Sequence, residues 1–132
     1  MFPFKNIPQL FSYVAESYSN PRAFNYKPAD QWVALSTAEF CRQVKQLAVA
    51  LHSLGVKRGE AVGLMANPSP YWLMVDLAIK SIGAISVPFF PSGSEENLEF
   101  KISDSGLRRL FLLSAEAWPR VKPCLRSLDQ VI

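Results

Sequence analysis

Cys41 and Cys124 are the two thiols and His52 the only imidazole, the side chains suited to soft metal ligation or nucleophilic and acid–base chemistry. His52 follows Cys41 by eleven residues along one helical stretch. That spacing separates them by about 16 Å of helical rise, too far to share a metal ion. Cys41 borders the apolar stripe of its helix and reads as a packing residue. Cys124, beside Pro123 and close to Arg126, reads as structural rather than reactive. A lone histidine with no Gly-x-Ser-x-Gly elbow argues against a hydrolase triad. The six glycines, at 55, 59, 63, 83, 93 and 106, build neither a Gly-x-Gly-x-x-Gly turn after a strand nor a phosphate loop ending in Gly-Lys-Ser/Thr. The first parallel strand ends without the paired acids of a phosphoacceptor, and no hydroxyl-rich flavin-phosphate loop follows it. The serines next to helix starts remain: Ser69, then Ser92 and Ser94, then Ser114. In an open parallel sheet they lie where ligands bind, beyond the carboxyl ends of the strands, and a helix start there can meet an anion. Capping their helices is the simpler role.

The elements that place these serines follow from pattern. Asn6 caps a helix over residues 7–19, with Pro8 in its first turn and Leu10, Phe11, Val14 and Tyr18 on one face. Ala23 to Tyr26 and Trp32 to Leu35 read as a hairpin. Ser36 with Glu39 three positions on is a capping box. The helix it opens runs to Leu54, with Phe40, Val44, Leu47, Leu51 and Leu54 as its stripe and Gly55 as its stop. Ala61 to Ala66 is a buried strand. Ser69 caps a helix from Pro70 to Ile82, apolar almost all round, broken only by the i,i+4 pair Asp76 and Lys80. A helix of that kind belongs to a larger body than this chain. Ala84 to Phe89 and Leu110 to Leu113 are two further strands. Between them Ser94 caps a helix with Glu95 and Glu96 in its first turn and Leu98 and Ile102 inward. Ser114 caps a last helix made irregular by Pro119 and Pro123, and Val131 and Ile132 read as the start of a fourth strand that is cut off.

Strand and helix therefore alternate, and the strands are continuous apolar runs. Both features predict an α/β fold: a mostly parallel open sheet flanked by helices, preceded by an N-terminal helix and a short β-hairpin. At 132 residues, 49% hydrophobic and 19% charged, the chain is one α/β unit over residues 1–132 rather than a disordered tail. Two cysteines exclude a disulfide scaffold. The net charge of +3 is small, and its one concentration, Arg108, Arg109, Arg120, Lys122 and Arg126, reads as a solvated surface. It lacks the interleaved aromatics of a nucleic-acid binder. No stretch reaches the roughly 20 apolar residues of a membrane span. The start, from Met1 to Asn6, lacks the charged and apolar regions of a secretory signal, so a cytoplasmic location is expected.

Five segments appear in order between Trp32 and Phe111: Leu54-Gly55-Val56-Lys57-Arg58-Gly59-Glu60, Asn67-Pro68-Ser69-Pro70-Tyr71-Trp72, Asp76-Leu77-Ala78-Ile79, Gly83-Ala84-Ile85-Ser86-Val87-Pro88 and Asp104-Ser105-Gly106. Together they resemble the amino-terminal part of the adenylate-forming acyl-CoA synthetases, the AMP-binding superfamily. Val87-Pro88 followed by Phe89-Phe90-Pro91-Ser92 is most similar to the long-chain fatty-acid–CoA ligase branch. Thr37, where the family has an aromatic residue, Tyr71, where an acid precedes the tryptophan, and Arg109, in a strand the family keeps apolar, depart from the pattern. The resemblance covers nearly all of this chain and the first quarter of a family member.

The resemblance implies a parent enzyme that activates a carboxylate with ATP to an acyl-adenylate and passes the acyl group to coenzyme A, with magnesium as the metal. The family's phosphate loop, its adenine- and magnesium-holding segment, its hinge and its late catalytic lysine have no counterpart here. The resemblance therefore assigns no catalytic, cofactor-binding or metal residue, and implies an amino-terminal fragment that is inactive by itself. Its partners would be the remainder of its own polypeptide, with fatty acid, ATP and CoA for the parent and no nucleic acid. The parent is expected in the cytoplasm or peripherally at a membrane. Self-association is expected through an exposed sheet edge or through the apolar helix 70–82. The residues alone leave a second reading open, a free-standing, non-catalytic α/β module that binds a protein or small ligand.

Overall fold

The computed structural model describes residues 4–132. The start read above for a signal therefore lies partly outside the described residues, at Met1 to Pro3. A helix α1 (Ile7–Ser17) leads into an antiparallel hairpin, β1 (Phe24–Tyr26) and β2 (Val33–Leu35). There follow α2 (Thr37–Ser53), β3 (Ala61–Met65), α3 (Pro70–Ser81), β4 (Ile85–Phe89), α4 (Glu95–Ser105) and β5 (Arg109–Leu112). A run of short turns over 115–127, with the single helical turn α5 (Trp118–Val121) at its middle, leads to β6 (Gln130–Val131).

Four strands form one parallel sheet in the order β4-β3-β5-β6. The expected fourth strand is there, with the Ile132 N–H donating to the Leu110 carbonyl at 2.9 Å. Residues alternate between the two faces of the sheet. Val62, Leu64 and Ala66 face α2 and α3, joined by Phe40, Val44 and Leu51 from α2 and Met74, Ala78 and Ile79 from α3. Met65, Phe89 and Leu110 face the other way, onto Leu98 and Ile102 of α4, Val121 and Cys124. Gly63 points to this second face, and a Cβ there would lie 2.7 Å from Leu110 Cδ1 and 3.1 Å from Phe89 Cε2.

Capping follows the sequence at four helix starts. Asn6, Ser36, Ser69 and Ser94 each accept a hydrogen bond from the backbone N–H three residues on. Several boundaries move. α1 ends at Ser17, because Tyr18 turns to extended backbone and its ring stays exposed against Tyr13. The hairpin strands begin at Phe24 and Val33, leaving Trp32 70% exposed. The capping box is half formed: the Glu39 carboxylate turns along the helix to Arg42 and Gln43 instead of back to Ser36. Leu54 caps α2 and is exposed, outside the stripe assigned to it. Ser114 is buried but caps nothing with its side chain, and the prolines break the last helix into 3-10 turns around α5.

The larger correction concerns α3. Pro70 and Met74 to Ile79 are buried within this chain, covered by α1, α2 and the sheet. Most of this apolar helix is already shielded within the chain, by the other helices stacked with it over the sheet. What α3 still presents outward is Tyr71 and the Met74–Val75 wall of an apolar groove shared with α2 and β5. β4 and β6 remain the outer strands of the sheet.

Candidate functional site

From β3 the chain crosses by α3 to β4 on one side, then returns by α4 past β3 to β5 on the other. The two helices lie on opposite faces, so the strand order reverses between β3 and β5. Such a switch point opens a crevice beyond the carboxyl ends of the two strands. The Leu113 N–H continues the ladder there, donating to the Met65 carbonyl at 3.0 Å. Asn67-Pro68-Ser69, the loop over residues 90–94 and the turns after Ser114 stand above these ends.

Two adjoining cavities occupy this rim. One, about 130 Å³, is lined by Phe89, Ser94, Asn97, Lys101 and Arg120 among others. The second, about 190 Å³, is lined by Asn67, Ser92, Glu116 and Arg120 among others. Arg120 is the wall between them. Its Nη1 is shut off from solvent and has no hydrogen-bond partner among the described residues. A guanidinium nitrogen held in this way is an unmet donor, and burial raises the free energy of leaving it so. The Lys101 ammonium lies 5.7 Å from the Phe89 ring centroid and adds a second positive charge to the smaller cavity. Ser94 and Asn97 bring the first turn of α4 to the same wall, with the Asn97 N–H already donated to Ser94 Oγ and the acidic Glu95 and Glu96 in the same turn. Arg120 and Lys101 thus put positive charge beside the smaller cavity, while Arg120 and Glu116 border the larger one. The arrangement suits an oxyanion in the smaller space.

The serines read from the sequence divide. Ser92 and Ser94 line this rim, whereas Ser69 caps α3 from an exposed position and Ser114 is buried beneath the turns. Cys41 faces an apolar cavity of about 290 Å³ between α1, β1, α2 and α3, and burial pushes its thiol pKa up. Cys124 sits in the second core, its Sγ–H directed at the Arg120 carbonyl at 3.9 Å, and its thiol is also raised by burial. His52 is exposed near the end of α2. No cluster of three His, Cys, Asp or Glu side chains able to hold a metal exists among the described residues.

The basic run is dispersed by the fold. Arg109 turns inward to Glu60, Arg108 pairs with Asp129 at 3.0 Å, and Arg120 enters the rim, while Lys122 and Arg126 stay exposed. Arg120 is the residue that sequence reasoning missed. Its neighbours in the run are surface residues, and nothing local in Trp118-Pro119-Arg120 separates it from them.

A family model described as "AMP-binding enzyme" matches residues 11–132. The chain belongs to the AMP-binding enzyme family. Among curated relatives, the chain is 32% identical over 80 residues to a long-chain-fatty-acid–CoA ligase, FadD15, of Mycobacterium bovis, a match covering 61% of the chain and 13% of that protein. It is 31% identical over 98 residues to the long-chain-fatty-acid–CoA ligase heimdall of Drosophila melanogaster, covering 71% of the chain and 14% of that protein. It is also 30% identical over 127 residues to bacitracin synthase 3 of Bacillus licheniformis, covering 96% of the chain and 2% of that protein. The chain thus spans less than a sixth of each of these relatives.

The AMP-binding fold is the same in solved structures. The anthranilate CoA ligase AuaEII superposes with a TM-score of 0.82 at 23% identity, covering 99% of this chain and 25% of that one. The N-terminal domain of FACL13 from Mycobacterium tuberculosis superposes with a TM-score of 0.80 at 22% identity, covering 98% of this chain and 34% of that one. These likenesses fix the fold alone. No helix among the described residues is long and apolar enough to cross a membrane.

Proposed function

We propose that this chain is the amino-terminal part of an ATP-dependent fatty acyl-CoA synthetase and is inactive by itself. The observation that carries the reading is the family match over residues 11–132 in a chain that spans a small share of its ligase relatives. The parent would join a fatty-acid carboxylate to the AMP moiety of ATP, releasing pyrophosphate, with magnesium balancing the phosphate charge. It would then transfer the acyl group to the CoA thiol, releasing AMP. In this reading the reacting groups of both steps lie in the remainder of the parent polypeptide. The sheet and its helices supply wall and floor, and the Arg120 rim offers a place for an anionic group. The choice of fatty acid over other carboxylates rests on the two long-chain ligases named above and on the Val87-Pro88-Phe89-Phe90-Pro91-Ser92 segment.

A cytoplasmic setting, with contact at a membrane surface, belongs to this reading. Two free, buried cysteines support a reducing compartment. The remainder of the parent polypeptide is the partner the reading requires. The outer edges of β4 and β6 support self-pairing when that partner is missing, and light scattering at rising concentration tests it.

Hydroxylamine trapping of acyl-adenylate and calorimetry with ATP test the main reading. The purified 132 residues should give no hydroxamate and no more heat with ATP than with inorganic phosphate, and the polypeptide extended by its following coding sequence should give hydroxamate and a larger ATP heat with a long-chain fatty acid. Turnover by the 132 residues alone overturns the inactive-part reading. An inert extended polypeptide overturns the synthetase reading in favour of a non-catalytic module.

A further inference from the structure

We draw no further inference here: the strongest candidate, the apolar groove of about 500 Å³ between α2, α3 and β5 lined by Leu47, Met74, Val75 and Phe111, carries nothing because nothing in the structure shows what covers it.

Discussion

Arg109, on β5, forms an ion pair with Glu60 through its Nη1, at the amino end of the sheet. Both side chains are 21% exposed. Arg109 Nε also donates to Gln130 Oε1 on β6 at 3.3 Å, and Glu60 Oε2 accepts from the Lys57 N–H at 2.9 Å. The Glu60 carbonyl accepts from the Ile85 N–H at 2.8 Å, so one residue before β3 reaches β4, β5 and, through Arg109, β6. An arginine in a strand that the family resemblance makes apolar has its explanation in this contact.

Glu60→Ala should therefore destabilise the chain by about 1–3 kcal/mol, because it strands a partly buried guanidinium without its carboxylate. Adding Arg109→Leu should restore part of the loss, since an apolar side chain leaves no unpaired charge. Urea unfolding of both variants is the check. Equal stability of Glu60→Ala and the parent chain would mean that the pair contributes nothing.

Gly63→Ala should cost about 1–3 kcal/mol through overpacking. The new methyl would enter the space of Leu110 Cδ1 and Phe89 Cε2 on the α4 face. Leu110→Val in the same chain should recover stability, and thermal unfolding of the single and double variants measures it. Independent, additive losses would show that the two sites do not meet.

Glu39 makes stability depend on acid pH. Hydrogen bonds from Arg42 first, then Gln43, hold its carboxyl pKa at about 2 in the folded chain, against an ordinary value of 4.5. The contribution is complete above pH 4.5 and is lost as the pH falls through that window towards 2. Midpoints of thermal unfolding measured from pH 5 to pH 2 should fall less steeply for Glu39→Gln than for the parent. Parallel curves would remove Glu39 from the account.

Arg120 should bind a small oxyanion. Calorimetry of the 132-residue chain with inorganic phosphate at low salt should show saturable binding that Arg120→Ala abolishes and that added salt weakens. Arg126→Ala, which alters an exposed member of the same basic run, should leave binding unchanged. Equal binding by all three proteins would reduce the signal to general surface charge.

Both thiols should be silent in the folded chain. Cys41 and Cys124 are buried in separate cores with raised pKa values, so a thiol-disulfide reagent near neutral pH should label neither until denaturant is added. Rapid labelling of either cysteine under native conditions would show that its core opens locally.

Local chemistry and periodicity were enough for most elements, because each depends on a few adjacent residues. Ser36, Ser69 and Ser94 cap as their spacing requires, Gly55 takes a positive φ of 83° after α2, and the apolar runs 61–65 and 85–89 become buried or edge strands of a parallel sheet. Family membership was legible for the same reason, since its segments are short and keep their order. Tertiary structure alone decided what depends on residues distant in the chain. Strand order placed β3 beside β5 and so located the crevice, and stacking of α1 and α2 buried most of α3. Five basic residues that look alike in sequence were sent to different surroundings: Arg109 to Glu60, Arg108 to Asp129, Arg120 to the rim, and Lys122 and Arg126 to solvent. A charge has no period that reveals its partner; only the packed chain brings Glu60 within reach of Arg109, forty-nine positions away.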